Sequence, residues 1–240
     1  MGHPKLHEVF GRIEDCRASQ DLPIVVFDLD STLFSTAERN LAILHEFAGE
    51  HAGNHPRLPE ITSSLSADDM GWNIHQSLME RGVEDERLIE DLKAFWLERF
   101  FTDEYCFLDA VTPGAPEYVS RVHEAGALVY YLTGRHVGGM ELGTIRSLLK
   151  HGFPCWRGRT EIHLKPDFET PDKDFKDDAI RDIHSLSGRV VATFENEPGN
   201  ANLFVEAFPE ALHFLLETVT SPEPEVPHES LILGPDFHLP

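Results

Sequence analysis

Residues 24–33 read Ile-Val-Val-Phe-Asp-Leu-Asp-Ser-Thr-Leu, and this stretch decides the fold. A continuous apolar run rich in β-branched residues is typical of a strand that is buried on both faces of a parallel sheet. The run ends in two carboxylates, Asp28 and Asp30. Because ligands of open α/β sheets bind beyond the carboxyl ends of the strands, the sequence predicts a functional site at these two residues.

The spacing of Asp28 and Asp30 indicates what such a site could do. Side chains two residues apart on a strand point to the same face, and two like charges held close together favour a shared proton or a bound cation. Mg²⁺ typically takes one or two carboxylates, waters and phosphate oxygens. A carboxylate can also act as a nucleophile and become an aspartyl-phosphate. The alternative is a strand end that carries two solvated acids.

Two further strands are predicted to end in polar residues. Residues 128–135 form an apolar run that ends in Thr133 and Gly134, where a hydroxyl donor and a side-chain-free backbone could approach an anion. Residues 189–200 contain a second such run, which ends in Glu195 and Asn196. Taken singly, the Thr-Gly pair is equally compatible with an ordinary turn after a strand.

The stretch 24–33 resembles motif I (D-x-D-x-T) of the haloacid dehalogenase superfamily, and residues 128–135 resemble its motif II. In the phosphatases of that superfamily, the first aspartate is the nucleophile and the second is the general acid/base. The resemblance therefore implies that Asp28 is the nucleophile and Asp30 the acid/base. It further implies a set of residues that bind the phosphoryl group: Leu29, Thr133, Gly134 and Lys176.

Motif III of the superfamily is a lysine that neutralises the nucleophile and the phosphate. Lys165, Lys173 and Lys176 are candidates. Lys176 is favoured because it opens a predicted helix immediately before the next strand, as the superfamily arrangement requires. Lys165 is its main rival.

Motif IV departs from the usual pair of acids, since Asn196 and Asn200 stand at the acid spacing. An asparagine carbonyl can still coordinate Mg²⁺, so Asn196 is the predicted third metal ligand beside Asp28 and Asp30. Glu195 is its alternative or its supporting partner. With fewer anionic ligands, a weaker metal site is expected.

These motifs imply a Mg²⁺-dependent phosphatase that hydrolyses a small phosphate monoester through an aspartyl-phosphate. The second aspartate favours phosphoryl transfer over dehalogenation, which has no need of it. Two alternatives remain open: a phosphotransferase or phosphomutase of the same superfamily, and a non-catalytic member that binds a phosphate or a partner.

Composition narrows the possible partners. The net charge of −22 argues against nucleic acid and anionic membranes, which require basic surface. The resemblance implies a small phosphorylated metabolite as the partner, and a local cluster of Mg²⁺, Lys176 and Arg135 would have to overcome the overall negative charge. No apolar run approaches the roughly 20 residues of a membrane-spanning helix. Three widely separated cysteines favour a reducing, cytoplasmic setting. The sequence makes no prediction of oligomeric state.

The alternation of strands and helices predicts an α/β fold, a Rossmann-like doubly wound parallel sheet. The resemblance implies a small α-helical cap inserted between motifs I and II. The core is expected to comprise residues 1–35 and 109–220. Residues 36–108 show helical spacing without strand alternation, and they are interpreted as the cap. The proline-rich residues 221–240 are expected to be an extended tail outside the catalytic core.

Overall fold

The computed structural model describes residues 3–239. Its strands are β1 (Leu22–Phe27), β2 (Phe34–Ser35), β3 (Ala110–Val111), β4 (Leu128–His136), β5 (Thr160–Lys165), β6 (Gly188–Glu195), β7 (Leu212–Leu216) and β8 (Ile232–Gly234). Strand β1 lies inside a six-stranded sheet whose order is β5-β4-β1-β6-β7-β8. Every neighbouring pair in this sheet is parallel.

Helices cover both faces of the sheet and fill the insertion after β2. They are α1 (Leu6–Ala18), α2 (Ala37–His51), α3 (Leu58–Ser63), α4 (Gln76–Met79), α5 (Glu86–Phe100), α6 (Asp103–Cys106), α7 (Ala115–Glu124), α8 (Val137–Lys150), α9 (Asp172–Ser185) and α10 (Pro198–Ala207). None of the helices within residues 3–239 has the length and apolar character that crossing a membrane requires.

The apolar run of β1 is buried on both faces, as its composition predicts. Val25 and Phe27 belong to the apolar cluster formed with helices α1, α7 and α8. Ile24 and Val26 belong to the cluster on the opposite face, formed with α9 and α10. This alternation follows from the two-residue period of a strand. The predicted α/β class with a parallel sheet is confirmed.

Residues 37–106, called the helical segment below, form a separate apolar cluster that includes Phe47 and Leu92. Strand β2 leads into this segment and β3 leads out of it, and the two pair antiparallel. The segment contacts the core where α6 packs on α8. Gly143 N donates to Asp103 Oδ1 at 2.7 Å, and a Cβ on Gly143 would collide with the Asp103 main chain. The helices were expected here, whereas their role as a cap stays a prediction.

The C-terminal residues take a larger part in the core than the sequence indicates. Residues 221–240 were expected to form a tail outside the core, but β8 adds the sixth strand beside β7. Phe237, 1% exposed, packs against Phe27 and Phe194. A strand of three residues is too short to show the alternation of apolar and polar residues by which strands are predicted. The structure shows it paired with β7 at the edge of the sheet.

Candidate active site

The carboxyl ends of β1, β4 and β6 meet at one edge of the sheet. Asp28 follows β1 directly, and its N–H donates to the Phe194 carbonyl of β6 at 3.0 Å. Glu195 ends β6, and Asn196 follows it. Parallel pairing thus brings residues that are far apart in the chain to one place, as the strand-end pattern predicts.

The Lys176 ammonium lies between two carboxylates at this edge. Its Nζ donates to Asp28 Oδ1 at 3.0 Å, to Glu195 Oε2 at 3.2 Å and to the Leu132 carbonyl at 3.4 Å. All three charged side chains are almost completely buried. One cation therefore serves two carboxylates, and the group carries one excess negative charge.

Burial and the neighbouring charges together shift the pKa values of this group. Burial raises the pKa of Asp28 to about 7, and the nearby Glu195 and Asp30 add to the rise while Lys176 opposes it. Although burial favours the neutral amine, the carboxylates of Asp28 and Glu195 raise the pKa of Lys176 above its ordinary value. Lys176 therefore stays charged, and Asp28 is the member of the group that can take up a proton near neutral pH.

The other candidate lysines lie elsewhere. Lys165, at the end of β5, donates to Asp172 Oδ1 at 2.8 Å, and Lys173 is exposed. Of the three candidates, Lys176 is the one whose ammonium bonds to Asp28, so the geometry favours it as the charge-neutralising lysine. Lys176 was expected to open this helix, but α9 begins at Asp172, four residues before it.

Asp30 has a different electrostatic environment from Asp28. Arg135 Nε donates to both of its carboxylate oxygens at 3.1 Å, and Arg39 Nη2 approaches Oδ1 at 3.4 Å. Burial raises the pKa of Asp30, but the two guanidinium groups outweigh it and hold that pKa below its ordinary value. The pKa values of the two motif I carboxylates are thus shifted in opposite directions, upward for Asp28 and downward for Asp30.

Sequence reasoning missed two residues of this arrangement, Arg39 and Asp109. Both are fully buried, and Asp109 accepts hydrogen bonds from Arg39 Nε at 2.8 Å and from Arg135 Nη2 at 2.7 Å. Arg39 stands in line with Ile43 and Phe47 on the buried face of α2, but this spacing alone does not indicate that a charged side chain is buried there. Asp109 has no comparable local signal.

The three predicted phosphate-binding residues besides Lys176 occupy the same edge of the sheet. Leu29 and Thr133 are buried, and the Thr133 hydroxyl accepts from Arg135 N at 3.2 Å. Strand β4 continues past the expected turn to His136, with a register shift against β5 after Thr133. A Cβ on Gly134 would make an ordinary 3.5 Å contact with Asp172 Oδ1. The protein interior alone therefore does not require glycine there.

Glu195 and Asn196 use their side chains differently. Besides Lys176, Glu195 accepts from Glu197 N and Asn200 Nδ2 at 3.3 and 3.2 Å, so both of its oxygens are engaged. Asn196 Nδ2 donates to the Val219 carbonyl at 2.7 Å, which directs Oδ1 toward Thr32, whose hydroxyl lies 3.3 Å away. Asn196 is therefore better placed than Glu195 to offer an oxygen to a cation.

The oxygen atoms at this edge of the sheet suit a hard cation that binds with modest affinity. Within residues 3–239, no three Asp, Glu, His or Cys side chains cluster so as to enclose a metal. Asp28 and Asn196 offer oxygen donors, and Mg²⁺ commonly completes such a shell with waters and substrate phosphate. The residues therefore fit a Mg²⁺ site that depends on the substrate for part of its ligands.

Comparison with solved structures identifies the fold. A Clostridium difficile protein described as a phosphatase matches 89% of this chain and 94% of its own, at 14% identity and a TM-score of 0.56. A haloacid dehalogenase-like hydrolase from Bacteroides fragilis matches 88% of this chain and 96% of its own, at 14% identity and a TM-score of 0.51. Protein tyrosine kinase A from Mycobacterium tuberculosis matches 89% and 93%, at 15% identity and a TM-score of 0.50.

No protein-family model matches the sequence, and no curated protein matches it significantly. The likeness to solved structures therefore shows the fold: this chain has the architecture of the haloacid dehalogenase-like hydrolases. The resemblance found in the sequence motifs is confirmed at that level.

Proposed function

We propose that the protein is a Mg²⁺-dependent phosphatase that hydrolyses a small phosphate monoester through an aspartyl-phosphate on Asp28. The observation that carries this proposal is the buried Lys176 ammonium, 3.0 Å from Asp28 at the carboxyl edge of the sheet. A shared fold with a protein described as a phosphatase supports it. A carboxylate nucleophile and a phosphate ester repel each other, so a fixed cation beside the nucleophile is what the reaction needs.

Asp28 attacks phosphorus in line with the leaving oxygen in this proposal, and the P–O bond to the alcohol breaks as the bond to Asp28 forms. Lys176 keeps Asp28 partly ionised despite its burial. The Thr133 hydroxyl and the backbone at Leu29 and Gly134 bind the phosphoryl oxygens. Water then attacks phosphorus and releases phosphate, which restores the Asp28 carboxylate.

Asp30 is proposed as the acid/base of both steps, but its environment favours one of them. The arginines hold Asp30 ionised, which suits a base that takes a proton from the attacking water. To protonate a leaving alcohol, Asp30 must first gain a proton against these arginines. The geometry therefore supports substrates with acidic leaving groups, such as aryl or enol phosphates, over simple alkyl phosphates.

Asp28 and Asn196 would hold Mg²⁺, which supplies positive charge that offsets the developing charge on the phosphoryl oxygens. Asp30, the further predicted ligand, would contribute less, because Arg135 already engages both of its carboxylate oxygens. Glu195 would orient Lys176 and stay outside the ligand set. The helical segment is proposed as the cap that excludes water from this edge.

The test is phosphate release from p-nitrophenyl phosphate and a panel of phosphate monoesters, with and without Mg²⁺. Mg²⁺-dependent turnover that is abolished in Asp28→Asn, and preserved in Glu46→Gln as a control in the helical segment, is expected. A phosphoryl adduct on Asp28 should be detectable by mass spectrometry after rapid quenching. Turnover that survives in Asp28→Asn would refute the proposed nucleophile.

The same groups could pass the phosphoryl group to an alcohol, and one fold neighbour is a protein tyrosine kinase by name. Adding an alcohol acceptor to the same assay separates the two reactions. A hydrolase releases phosphate and the nitrophenol in equal amounts, whereas a transferase releases less phosphate than nitrophenol. Absence of both products and of Mg²⁺ binding would favour the non-catalytic alternative.

A further inference from the structure

Four charged side chains, three of them fully buried, lie near the proposed nucleophile and are not explained by its chemistry alone. Asp30, Arg39, Asp109 and Arg135 form this group, which is called the arginine–carboxylate cluster below. Arg39 and Asp109 have fully buried side chains, as has Arg135, whereas the Asp30 side chain is 33% exposed. Removing charges from water is unfavourable unless they are paired and hydrogen-bonded. The cluster meets this condition because two cations face two anions.

Within the cluster, Asp109 reaches Asp30 only through the arginines. Arg39 Nε lies 2.8 Å from Asp109 Oδ1, and Arg135 Nη2 lies 2.7 Å from Asp109 Oδ2. Arg135 then holds both oxygens of Asp30. Since a guanidinium is a planar fork, the plane of Arg135 and the direction of the Asp30 carboxylate are fixed together by Asp109.

The four residues come from parts of the chain that meet at the connections to the helical segment. Arg39 belongs to α2, just after β2, and Asp109 immediately precedes β3. Arg39 Nη1 also donates to the carbonyl of Phe100, the last residue of α5, at 3.1 Å. A rotation of the helical segment about β2 and β3 would therefore move Arg39 relative to Asp30.

We propose that Asp109 is a positioning residue for Asp30, and that Arg39 makes this positioning depend on how the helical segment sits on the core. Asp109 touches neither the nucleophile nor the phosphoryl site. It fixes Arg135 and Arg39, which orient the Asp30 carboxylate toward the place where water attacks. The inference rests on the proposed phosphatase function for the role of Asp30, while the coupling itself is a property of the fold.

The kinetic test compares wild type, Asp109→Asn and the control Glu46→Gln with p-nitrophenyl phosphate. Glu46 pairs with Arg99 inside the helical segment, so its change removes a carboxylate–arginine pair unrelated to the cluster. Asp109→Asn should lower kcat on the order of 100-fold, the effect of misplacing a reacting group, with KM within about twofold. An unchanged kcat, or a loss confined to KM, would overturn the proposal.

A second variant guards against a misfolded Asp109→Asn. Arg39→Lys keeps the positive charge but loses the planar guanidinium, whose separate nitrogens Nε, Nη1 and Nη2 contact Asp109, the Phe100 carbonyl and Asp30. It should lower kcat by about tenfold or more, again with little change in KM. Wild-type kcat in folded Arg39→Lys would refute the dependence on the helical segment.

Hydrogen exchange separates this proposal from the proposed function. Amides of residues 29–34 should exchange faster in Asp109→Asn than in wild type or Glu46→Gln, while those of β7 should not change. If wild type hydrolyses no phosphate ester, the proposed function fails, and the exchange result alone decides the positioning. Equal exchange in residues 29–34, or faster exchange throughout the sheet, would overturn it.

Discussion

Replacing Asp28 by Asn should abolish phosphatase activity and at the same time make the protein more stable. In the wild type, Lys176 faces both Asp28 and Glu195, so a buried group of three charges has one negative charge in excess. Asparagine has nearly the same shape and keeps an oxygen for Lys176. The variant leaves one lysine paired with one glutamate, which is electrically balanced.

The size of the effect follows from the pKa of Asp28, which rises from 3.8 to about 7 mainly through burial. Between these values, the folded protein holds a proton that the unfolded chain has lost, so stability falls as pH rises through this window. Relative to a side chain that never ionises, Asp28 therefore destabilises the fold by about 2 kcal/mol at pH 5, where folding requires it to take up a proton, and by about 4 kcal/mol at pH 8, where it is ionised in the folded protein. Asp28→Asn removes this contribution.

Urea unfolding followed by tryptophan fluorescence in Mg²⁺-free buffer measures this difference. The stability gain of Asp28→Asn over wild type should grow by about 2–3 kcal/mol between pH 5 and pH 8. Added Mg²⁺ should reduce the gain, because a bound cation stabilises the folded wild type with Asp28 ionised. A gain that does not change with pH, or a variant less stable than wild type at pH 8, would refute the reasoning.

Asp30→Asn is the matched control, and it should lower the free energy of unfolding where Asp28→Asn raises it. The arginines lower the pKa of Asp30 although burial opposes them, so its stabilising contribution is present at neutral pH and is lost as pH falls below 3.8. Its removal should cost about 2–4 kcal/mol, less than a fully buried pair because the side chain is 33% exposed. This loss should be the same at pH 5 and pH 8.

Three more substitutions test the site and the core. Lys176→Met should lower kcat/KM for p-nitrophenyl phosphate at least about 100-fold, and Lys165→Met, its matched control, about tenfold or less; the reverse order would transfer the role to Lys165. Asn196→Asp should lower the Mg²⁺ concentration for half-maximal activity about tenfold, because a carboxylate replaces a neutral ligand; an unchanged titration would remove Asn196 from the ligand set. Phe237→Ala should reduce the unfolding free energy in urea by about 3–5 kcal/mol; a loss under about 1 kcal/mol would contradict its place in the core.

The residues at strand ends could be predicted because their signal is local. An apolar run followed by Asp28 specifies both the buried strand and the edge at which it ends. The same reasoning located Thr133 and Asn196, and the parallel sheet then brought the strand ends together. Lys176 was favoured by its position before β6, and its ammonium does lie beside Asp28. Its function stays a prediction.

What could not be predicted depends on contacts between distant segments. Arg39 is one charged residue in an amphipathic helix, and such residues usually face water. Arg39 can be buried because it pairs with Asp109, which is distant in sequence, and with Asp30, which lies nine residues before it. Glu195 was considered as a metal ligand because the sequence does not show that Lys176, Glu197 N and Asn200 engage it. Strand β8 was not predicted because its three residues are too few to show the alternating pattern of a strand.

The insertion between β2 and β3 also governs the order in which the molecule can assemble. Ile24 of β1 pairs with Leu128 and Val190, whereas the cluster around Phe47 is built within residues 43–92. The strand pairs of β1 form more slowly than the contacts within the helical segment, because they require the closure of much longer loops. Pulse-labelled hydrogen exchange during refolding should therefore protect α2 and α5 before β1. During synthesis, β1 leaves the ribosome without either neighbour, and the edge that carries Asp28 is completed only after β6 has followed it.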